Sequence, residues 1–172
     1  MATISESVTI AAKREAVFDL ISRVEEFSLY ADSLKKVEKI GYRTYRWVAR
    51  VHGFTLDWDS KITEFRRPAR LAWRSIRGFD NCGAYDLTTV AGGTKVDLFI
   101  DYSLEGIPLG GLMELLVTPV TRAAAAEVLQ RVKERLERHR LGIAAKQNSR
   151  PNQKSTPLAR AKSRQINRQA RA

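Results

Sequence analysis

The chain has 172 residues, of which 44% are hydrophobic, 28% are charged and one is a cysteine. This length suits one domain with a core that needs no disulfide bonds, and a single cysteine excludes an internal disulfide framework. No stretch approaches the roughly 18 consecutive apolar residues of a membrane span, and the N-terminus lacks the basic-then-apolar order of a signal peptide. We therefore expect a cytoplasmic protein.

The net charge of +11 is concentrated at the C-terminal end. Residues 146–172 hold eight basic residues and no acidic one, which leaves +3 of the +11 for everything before them. The same segment is rich in Ser, Asn, Gln and Pro, a composition typical of disorder. We predict a folded domain over residues 1–142 and a basic, disordered tail over residues 143–172. The high isoelectric point therefore does not make the domain a nucleic-acid binder.

The chain begins with one strand and two helical segments. Residues 3–10, TISESVTI, alternate apolar and polar side chains with the period of a β-strand. From residue 13 onward, Val17, Leu20, Ile21 and Val24 recur at helical spacing. The stretch EEFSLYADS then indicates a short second helix or an irregular turn.

From Leu34 the alternation with period two continues through six further segments. They are VEKIGYRT, YRWVARV, FTLDWDSKITEF, RLAWRSI, CGAYDLTTV and TKVDLFIDYSL. The breaks between them carry turn residues, among them His52-Gly53, Arg67-Pro68 and Gly92-Gly93. Connections this short join antiparallel neighbours, because a parallel crossover needs about a dozen residues or more. The sequence therefore predicts a sheet of about seven antiparallel strands.

The C-terminal third of the domain changes to helical spacing. GIPLGGLMELLVTP is interpreted as a loop with a short helical turn, and VTRAAAAEVLQRVKERLERHR as a long helix. Its N-terminus is predicted at Thr118-Pro119, because proline is favoured at the first helical position. We expect an α+β fold in which the sheet curls around this helix and buries its apolar stripe. Small residues over 123–126 would leave space between helix and sheet at one end.

Alternation places the large aromatic residues of the strands on the face that meets the helix. They are Trp47, Trp58, Trp73, Tyr85 and Tyr102, with Ser60 and Ser75 as small polar positions among them. An apolar wall with a few polar groups is typical of a small-molecule pocket. Aromatic side chains on a concave face also simply fill a core, so the residues alone leave both interpretations open.

Catalytic and metal-binding patterns are sparse. His52 and His139 have no Cys, Asp or second His at ligand spacing, so we predict no metal site. Asp57 and Asp59 share the outward face, where we expect a solvated role. Cys82 is expected to be a small buried strand residue rather than a thiolate nucleophile. We predict no catalytic set and no cofactor.

The run RLAWRSIRGFDNCGAYDL, between GFTLDWDSKITEF and GTKVDLFIDYSL, resembles the START-like (SRPBCC, helix-grip) superfamily. Within it the chain is most similar to the polyketide cyclase/dehydrase and lipid-transport group, which includes coenzyme-Q-binding proteins. The resemblance covers residues 3–140 and implies a seven-stranded antiparallel sheet that grips a long C-terminal helix, with a hydrophobic cavity between them. Members bind lipids, quinones, sterols or polyketides, and some catalyse aldol cyclisation. They share no catalytic set, so the resemblance implies a pocket and no mechanism.

We predict a carrier or sensor for an apolar small molecule, such as a lipid, quinone, isoprenoid or polyketide, held in this cavity. The predicted ligand-binding residues are Trp47, Trp58, Ser60, Trp73, Ser75, Tyr85, Leu98 and Tyr102. Tyr85, Tyr102 and Ser75 could orient the ligand. The apolar loop before the last helix is the predicted gate, through Ile107, Leu109, Leu112 and Met113.

Two other classes of function remain open from the sequence. One is a polyketide cyclase or aromatase that promotes enolisation with an ionisable group inside the cavity. Only Glu6 and Glu64 fall in the inward phase, both near strand ends. The other is an interaction role for the tail, whose spaced basic residues could bind RNA or an acidic membrane surface through charge.

If the tail binds such a polyanion, the affinity should fall steeply between about 50 and about 200 mM salt, because binding releases counterions. Titration of RNA and of anionic vesicles at both salt concentrations measures this. Removal of the residues after Gly142 should abolish the binding and leave ligand binding by the domain unchanged. Binding that ignores salt, or that survives the truncation, would contradict the prediction.

Overall fold

The computed structural model describes the backbone of residues 2–103 and 110–148, and the side chains of residues 2–103 and 117–138. In chain order the elements are β1 (Ala2–Ile10), α1 (Arg14–Ile21), a 3₁₀ helix (Val24–Leu29), β2 (Leu34–Gly41), β3 (Thr44–Val51), β4 (Phe54–Arg66), β5 (Arg70–Gly78), β6 (Asp80–Val90), β7 (Gly93–Ser103) and α2 (Gly110–Asn148). Neither α1 nor the described part of α2 is both long and apolar enough to cross a membrane.

The seven strands form one sheet in the order β1-β7-β6-β5-β4-β3-β2, and every neighbouring pair is antiparallel. From β2 to β7 each strand pairs with its successor, while β1 closes the far edge against β7. This confirms the predicted α+β helix-grip architecture. The segment EEFSLYADS, left open between helix and turn, supplies most of the 3₁₀ helix.

Helix α2 packs its apolar stripe into the core formed by the sheet. Ala125, Val128, Leu129 and Val132 are buried in the main hydrophobic cluster together with residues from all seven strands, α1 and the 3₁₀ helix. Their spacing of three and four residues puts them on one side of the helix. Burial of this stripe is therefore the main apolar contribution that holds the helix on the sheet.

Polar contacts on two sides of α2 hold the helix in place beyond its apolar stripe. Lys133 Nζ donates to the Thr9 carbonyl at 3.0 Å, and Glu137 accepts from the Ala11 amide at 3.0 Å. On the other side, Arg135 pairs with Glu26 and donates to the Tyr30 hydroxyl at 2.7 Å. The helix is thus tied to the end of β1 and to the 3₁₀ helix.

The prediction that the last helix begins at Thr118-Pro119 is wrong, because α2 begins at Gly110 and Pro119 lies in its interior. An interior proline removes one backbone hydrogen bond. The preceding stretch GLMELLV, however, consists largely of strong helix formers, which favour helix on both sides of the proline. The helix also continues to Asn148, beyond the predicted domain boundary at residue 142. The remainder of the predicted tail, residues 149–172, lies outside the described residues.

The outward face of the sheet carries a row of alternating charges across four strands. Glu38, Arg46, Asp59 and Arg77 occupy directly paired positions on β2 to β5. Asp59 accepts from Arg46 Nε at 2.8 Å and from Arg77 Nε at 2.8 Å. Its side chain faces outward as predicted but is only 8% exposed, because the two guanidinium groups cover it. The expectation of a solvated role for Asp59 is therefore wrong.

The two arginines hold the pKa of the Asp59 carboxyl well below its usual range, mainly through their hydrogen bonds. A carboxyl whose pKa is lower in the folded state adds stability above its unfolded pKa of about 4, and that contribution is lost as the pH falls. In urea unfolding from about pH 5 down to about pH 2, the wild type should lose more free energy of unfolding than Asp59→Asn. Equal slopes for wild type and Asp59→Asn would contradict the assignment.

Candidate functional site

A partly open pocket of about 130 Å³ lies between the sheet and α2. We call it the aromatic pocket. Its ring-bearing residues are Phe27, Tyr45, Trp47, Trp58, Trp73, Phe79 and Tyr85. On the opposite side α2 contributes Val120, Thr121, Ala124, Ala125 and Val128. Large rings from the strands therefore face small side chains on the helix, and the space between them stays open.

The aromatic side chains touch one another along the wall of the pocket. Trp47 and Trp58, directly paired on β3 and β4, stack with ring centres 5.7 Å apart and planes 6° apart. Phe79 meets the Trp58 ring edge-on at 5.6 Å. On the other side Tyr85 contacts Trp73 at 5.6 Å and Phe27 at 6.2 Å. Such offset and edge-on contacts stabilise aromatic pairs by about 0.5–1.5 kcal/mol each beyond their burial.

Hydrogen bonds fix the orientation of two of the three indole rings. Trp47 Nε1 donates to the Ser60 hydroxyl at 2.8 Å, and Trp73 Nε1 donates to Asn81 Oδ1 at 3.1 Å. Asn81 is itself held by its Nδ2, which donates to the Phe79 carbonyl at 2.9 Å. The polar atoms of the wall are thus largely paired with one another, which leaves an apolar surface toward the pocket.

Gly83 provides the space for Trp73. The two residues are paired across β5 and β6, and a Cβ added at Gly83 would lie 2.4 Å from the Trp73 ring and 2.4 Å from the Phe99 carbonyl oxygen. Any larger residue would push the indole away from Asn81. The glycine therefore sets the position of one wall of the pocket.

Six of the eight predicted ligand-binding residues line the aromatic pocket. They are Trp47, Trp58, Ser60, Trp73, Tyr85 and Leu98. Ser75 instead donates to Asp80 Oδ1 at 3.1 Å and accepts from the Asn81 amide at 3.0 Å. Tyr102 is 1% exposed, shares a hydrogen bond with the Thr118 hydroxyl and packs in a second cluster with Ile4, Val51 and Val117. Neither of these two residues is part of the pocket lining.

The predicted gate falls mainly outside the described part of the chain. Ile107 and Leu109 lie outside the described residues, and Leu112 and Met113 belong to the first turn of α2. The position of the gate therefore stays a prediction.

Several lining residues were missed from the sequence. Val24 and Phe27 reach the pocket from the 3₁₀ helix, and their spacing of three residues was a usable signal for an inward face. Phe79 falls between the predicted strand segments RLAWRSI and CGAYDLTTV. The structure places it as the one residue between β5, which ends at Gly78, and β6, which begins at Asp80, with its ring next to Trp58.

No charged residue lines the aromatic pocket within the part of the chain that the structure describes. Its titratable lining groups are the phenols of Tyr45 and Tyr85, and burial raises the pKa of both. Both hydroxyls are therefore neutral near pH 7, and the interior of the pocket carries no charge.

The carboxylates named for a cyclase do not reach this pocket. Glu64 pairs with Arg66 and, at 2.8 Å, with Arg70, and neither Glu64 nor Glu6 belongs to the lining. Cys82 is a free thiol that is half-buried rather than fully buried. Among the side chains of residues 2–103 and 117–138 there is no group of three or more His, Cys, Asp and Glu that could hold a metal ion.

Comparison with known proteins places these features in a wider group. Residues 1–137 match the family described as polyketide cyclase / dehydrase and lipid transport. No curated protein matches the chain.

Solved structures share the fold at low sequence identity. A protein from Thermus thermophilus is 23% identical, with a TM-score of 0.71 over 80% of this chain and 99% of that one. A START superfamily protein from Mycobacterium smegmatis is 15% identical, with a TM-score of 0.64 over 79% and 97%. The Zhui aromatase/cyclase from a Streptomyces species is 18% identical, with a TM-score of 0.63 over 78% and 94%. At these identities the similarity shows the fold alone.

Replacement of Gly83 by alanine should destabilise the protein by roughly 1–3 kcal/mol, because the Trp73 ring and the β7 backbone have to move. Urea unfolding measures the loss, and the indole N–H signals in an NMR spectrum report whether the Trp73 bond to Asn81 is disturbed. The control is Gly41→Ala, where the added Cβ would meet no atom closer than 3.6 Å. If the two variants lose the same stability, Gly83 has no special role in placing Trp73.

Proposed function

Because the chain belongs to the polyketide cyclase/dehydrase and lipid transport family, we propose that it is a carrier or sensor for an apolar small molecule bound in the aromatic pocket. The observation that carries this proposal is an uncharged space bounded by fixed rings on the sheet and by Ala124 and Ala125 on α2. A core built only for stability would gain by filling such a space, since empty volume removes packing contacts.

Burial of the ligand surface would supply the binding energy. Each 100 Å² of apolar surface removed from water contributes about 2.5 kcal/mol. Because the wall is held by the Trp47–Ser60 and Trp73–Asn81 hydrogen bonds, little side-chain freedom is lost on binding. The pocket is therefore suited to bind without rearrangement of the sheet.

The uncharged lining limits the chemistry of the bound group. A carboxylate or phosphate in this pocket would lose its hydration without gaining a cationic partner, at a cost of several kcal/mol. Neutral parts of a quinone, isoprenoid, polyketide or lipid meet this requirement, and any charged part would have to stay outside the pocket. We place such a carrier in the cytoplasm, where a free thiol such as Cys82 remains reduced.

The proposal is tested by filling the pocket from the helix side. Ala124 lines the pocket, whereas Ala126, two residues further along α2, is exposed. Purified wild type, Ala124→Leu and Ala126→Leu are extracted with organic solvent and the extracts analysed by mass spectrometry. An apolar molecule should be recovered from wild type and Ala126→Leu and be depleted in Ala124→Leu, because the added side chain occupies its space.

A titration provides the second measurement on the same three proteins. Tryptophan fluorescence is followed on addition of a short-chain ubiquinone analogue and, separately, of a long-chain fatty acid. Saturable quenching by the quinone that weakens in Ala124→Leu supports the proposal. Absence of any extracted molecule and of any response to either compound would contradict it.

A further inference from the structure

The polar groups on the wall of the aromatic pocket are mostly occupied by contacts within the protein. The Ser60 hydroxyl accepts from Trp47, and the Asn81 side chain accepts from Trp73 and donates to a carbonyl. On α2, the Thr121 hydroxyl donates to the Val117 carbonyl at 2.9 Å. Each of these groups therefore already has at least one hydrogen-bond partner within the protein.

Tyr85 differs from these groups because its hydroxyl has no hydrogen-bond partner among the described residues. The residue is only 5% exposed and lies on β6 between the rings of Trp73 and Phe27. Among the side-chain nitrogen and oxygen atoms of the described residues, only Arg14 Nε is both inaccessible to solvent and without a hydrogen-bond partner. The Tyr85 hydroxyl, which also lacks a partner, does not belong to this class. The Tyr85 hydroxyl is therefore not sealed, and its remaining exposure is toward the pocket.

The other unpaired hydroxyls on the lining have a different environment. Ser33 is half-buried, so solvent can reach its hydroxyl. The pKa of Tyr45 is raised by burial and then by the charge of Glu25, with an opposing effect from Arg43, whereas the rise in the pKa of Tyr85 has burial as its cause. Tyr45 thus lies near charged side chains, whereas Tyr85 is the interior residue of the lining whose hydroxyl has no hydrogen-bond partner among the described residues.

We propose that Tyr85 donates a hydrogen bond to the carbonyl-type oxygen of a neutral, single-ring ligand that fills the aromatic pocket. This inference rests on the carrier function proposed above and names the class of its ligand. A ligand that fills the pocket excludes water from the Tyr85 hydroxyl, and an unpaired buried donor is costly, so the ligand itself must supply the acceptor.

The size and charge of the pocket support the same class. An apolar cavity of about 150 Å³ in another protein admits benzene, and the volume here is about 130 Å³. One ring fits, and a longer substituent would have to leave through the open side. With no charged side chain on the described lining, a fatty-acid carboxylate has no counter-ion inside the pocket. Aromatic ketones, aldehydes, esters and small quinones have a single ring, no charge and an oxygen that accepts a hydrogen bond, and so meet all three requirements.

The test uses two ligands that differ in one atom group. Acetophenone carries a carbonyl oxygen where α-methylstyrene carries a CH₂, and otherwise the two have nearly the same shape. Isothermal titration calorimetry of both compounds is performed on the full-length wild type, Tyr85→Phe and Tyr42→Phe. Tyr85→Phe should weaken acetophenone binding about three- to tenfold, the effect of one neutral hydrogen bond, and should not weaken α-methylstyrene binding. Tyr42→Phe, at a tyrosine that is 79% exposed and outside the pocket lining, should leave both affinities unchanged.

A second measurement needs no variant to fold. The infrared carbonyl stretch of bound, ¹³C-labelled acetophenone should lie at lower frequency than in an apolar solvent, because a hydrogen bond weakens the C=O bond. An unshifted stretch in the wild type would overturn the inference, as would equal losses for both ligands in Tyr85→Phe.

The two proposals fail in different ways. If both ligands bind and Tyr85→Phe changes neither affinity, the Tyr85 inference is wrong while the carrier function stands. If neither compound binds the wild type, the single-ring class is wrong. The carrier function then depends on the extraction experiment with Ala124→Leu.

Discussion

The contact on which the site depends is the stack of Trp47 on Trp58, with the Trp47 N–H held by Ser60. Two parallel indole rings on adjacent strands form a flat wall that cannot turn toward α2 without losing both the stack and the hydrogen bond. The helix meets this wall with Ala124 and Ala125, whose side chains are too short to reach it. The pocket exists because one layer is large and fixed while the other is small.

The charged side chains on the outward face stabilise the same strands on the side away from the pocket. Asp59, with Arg46 and Arg77 on the neighbouring strands, joins β3, β4 and β5, the strands that carry the three tryptophans on their other face. One side of this sheet region is therefore stabilised by charge-assisted hydrogen bonds and the other by ring contacts. The hydrogen bonds on the outward face hold these strands together and so position the rings on the inward face. The inward face therefore does not have to be completely filled for the strands to stay in place.

Much of this arrangement follows from the period of the side chains. Alternation correctly placed Trp58, Ser60 and Ile62 inward, because successive strand residues point to opposite faces. It could not place Ser75 or Tyr102, since the period defines the face but not the distance along the strand from the pocket. It also could not show that neighbouring arginines cover Asp59, because that depends on which strands are adjacent and in what register.

The helix and the connections were harder to predict. Pro119 was taken as a helix start on its usual preference, while the helix formers before it extend α2 back to Gly110. Phe79 lies in a connection so short that its side chain still contacts the wall of the pocket. A search for turn residues marks this position only as a break between strands and does not identify it as a lining residue. The unpaired hydroxyl of Tyr85 is a property of the assembled wall and has no signature in the sequence.

The proposed function requires an apolar space that stays open between the indole wall and α2. A crystal of the full-length protein equilibrated with xenon tests it most directly, because xenon binds apolar cavities and is located by its anomalous scattering. We expect a xenon atom between Trp58 and Ala124, within van der Waals distance of both. A pocket closed by the surrounding side chains, or occupied by ordered water molecules instead of xenon, would contradict it.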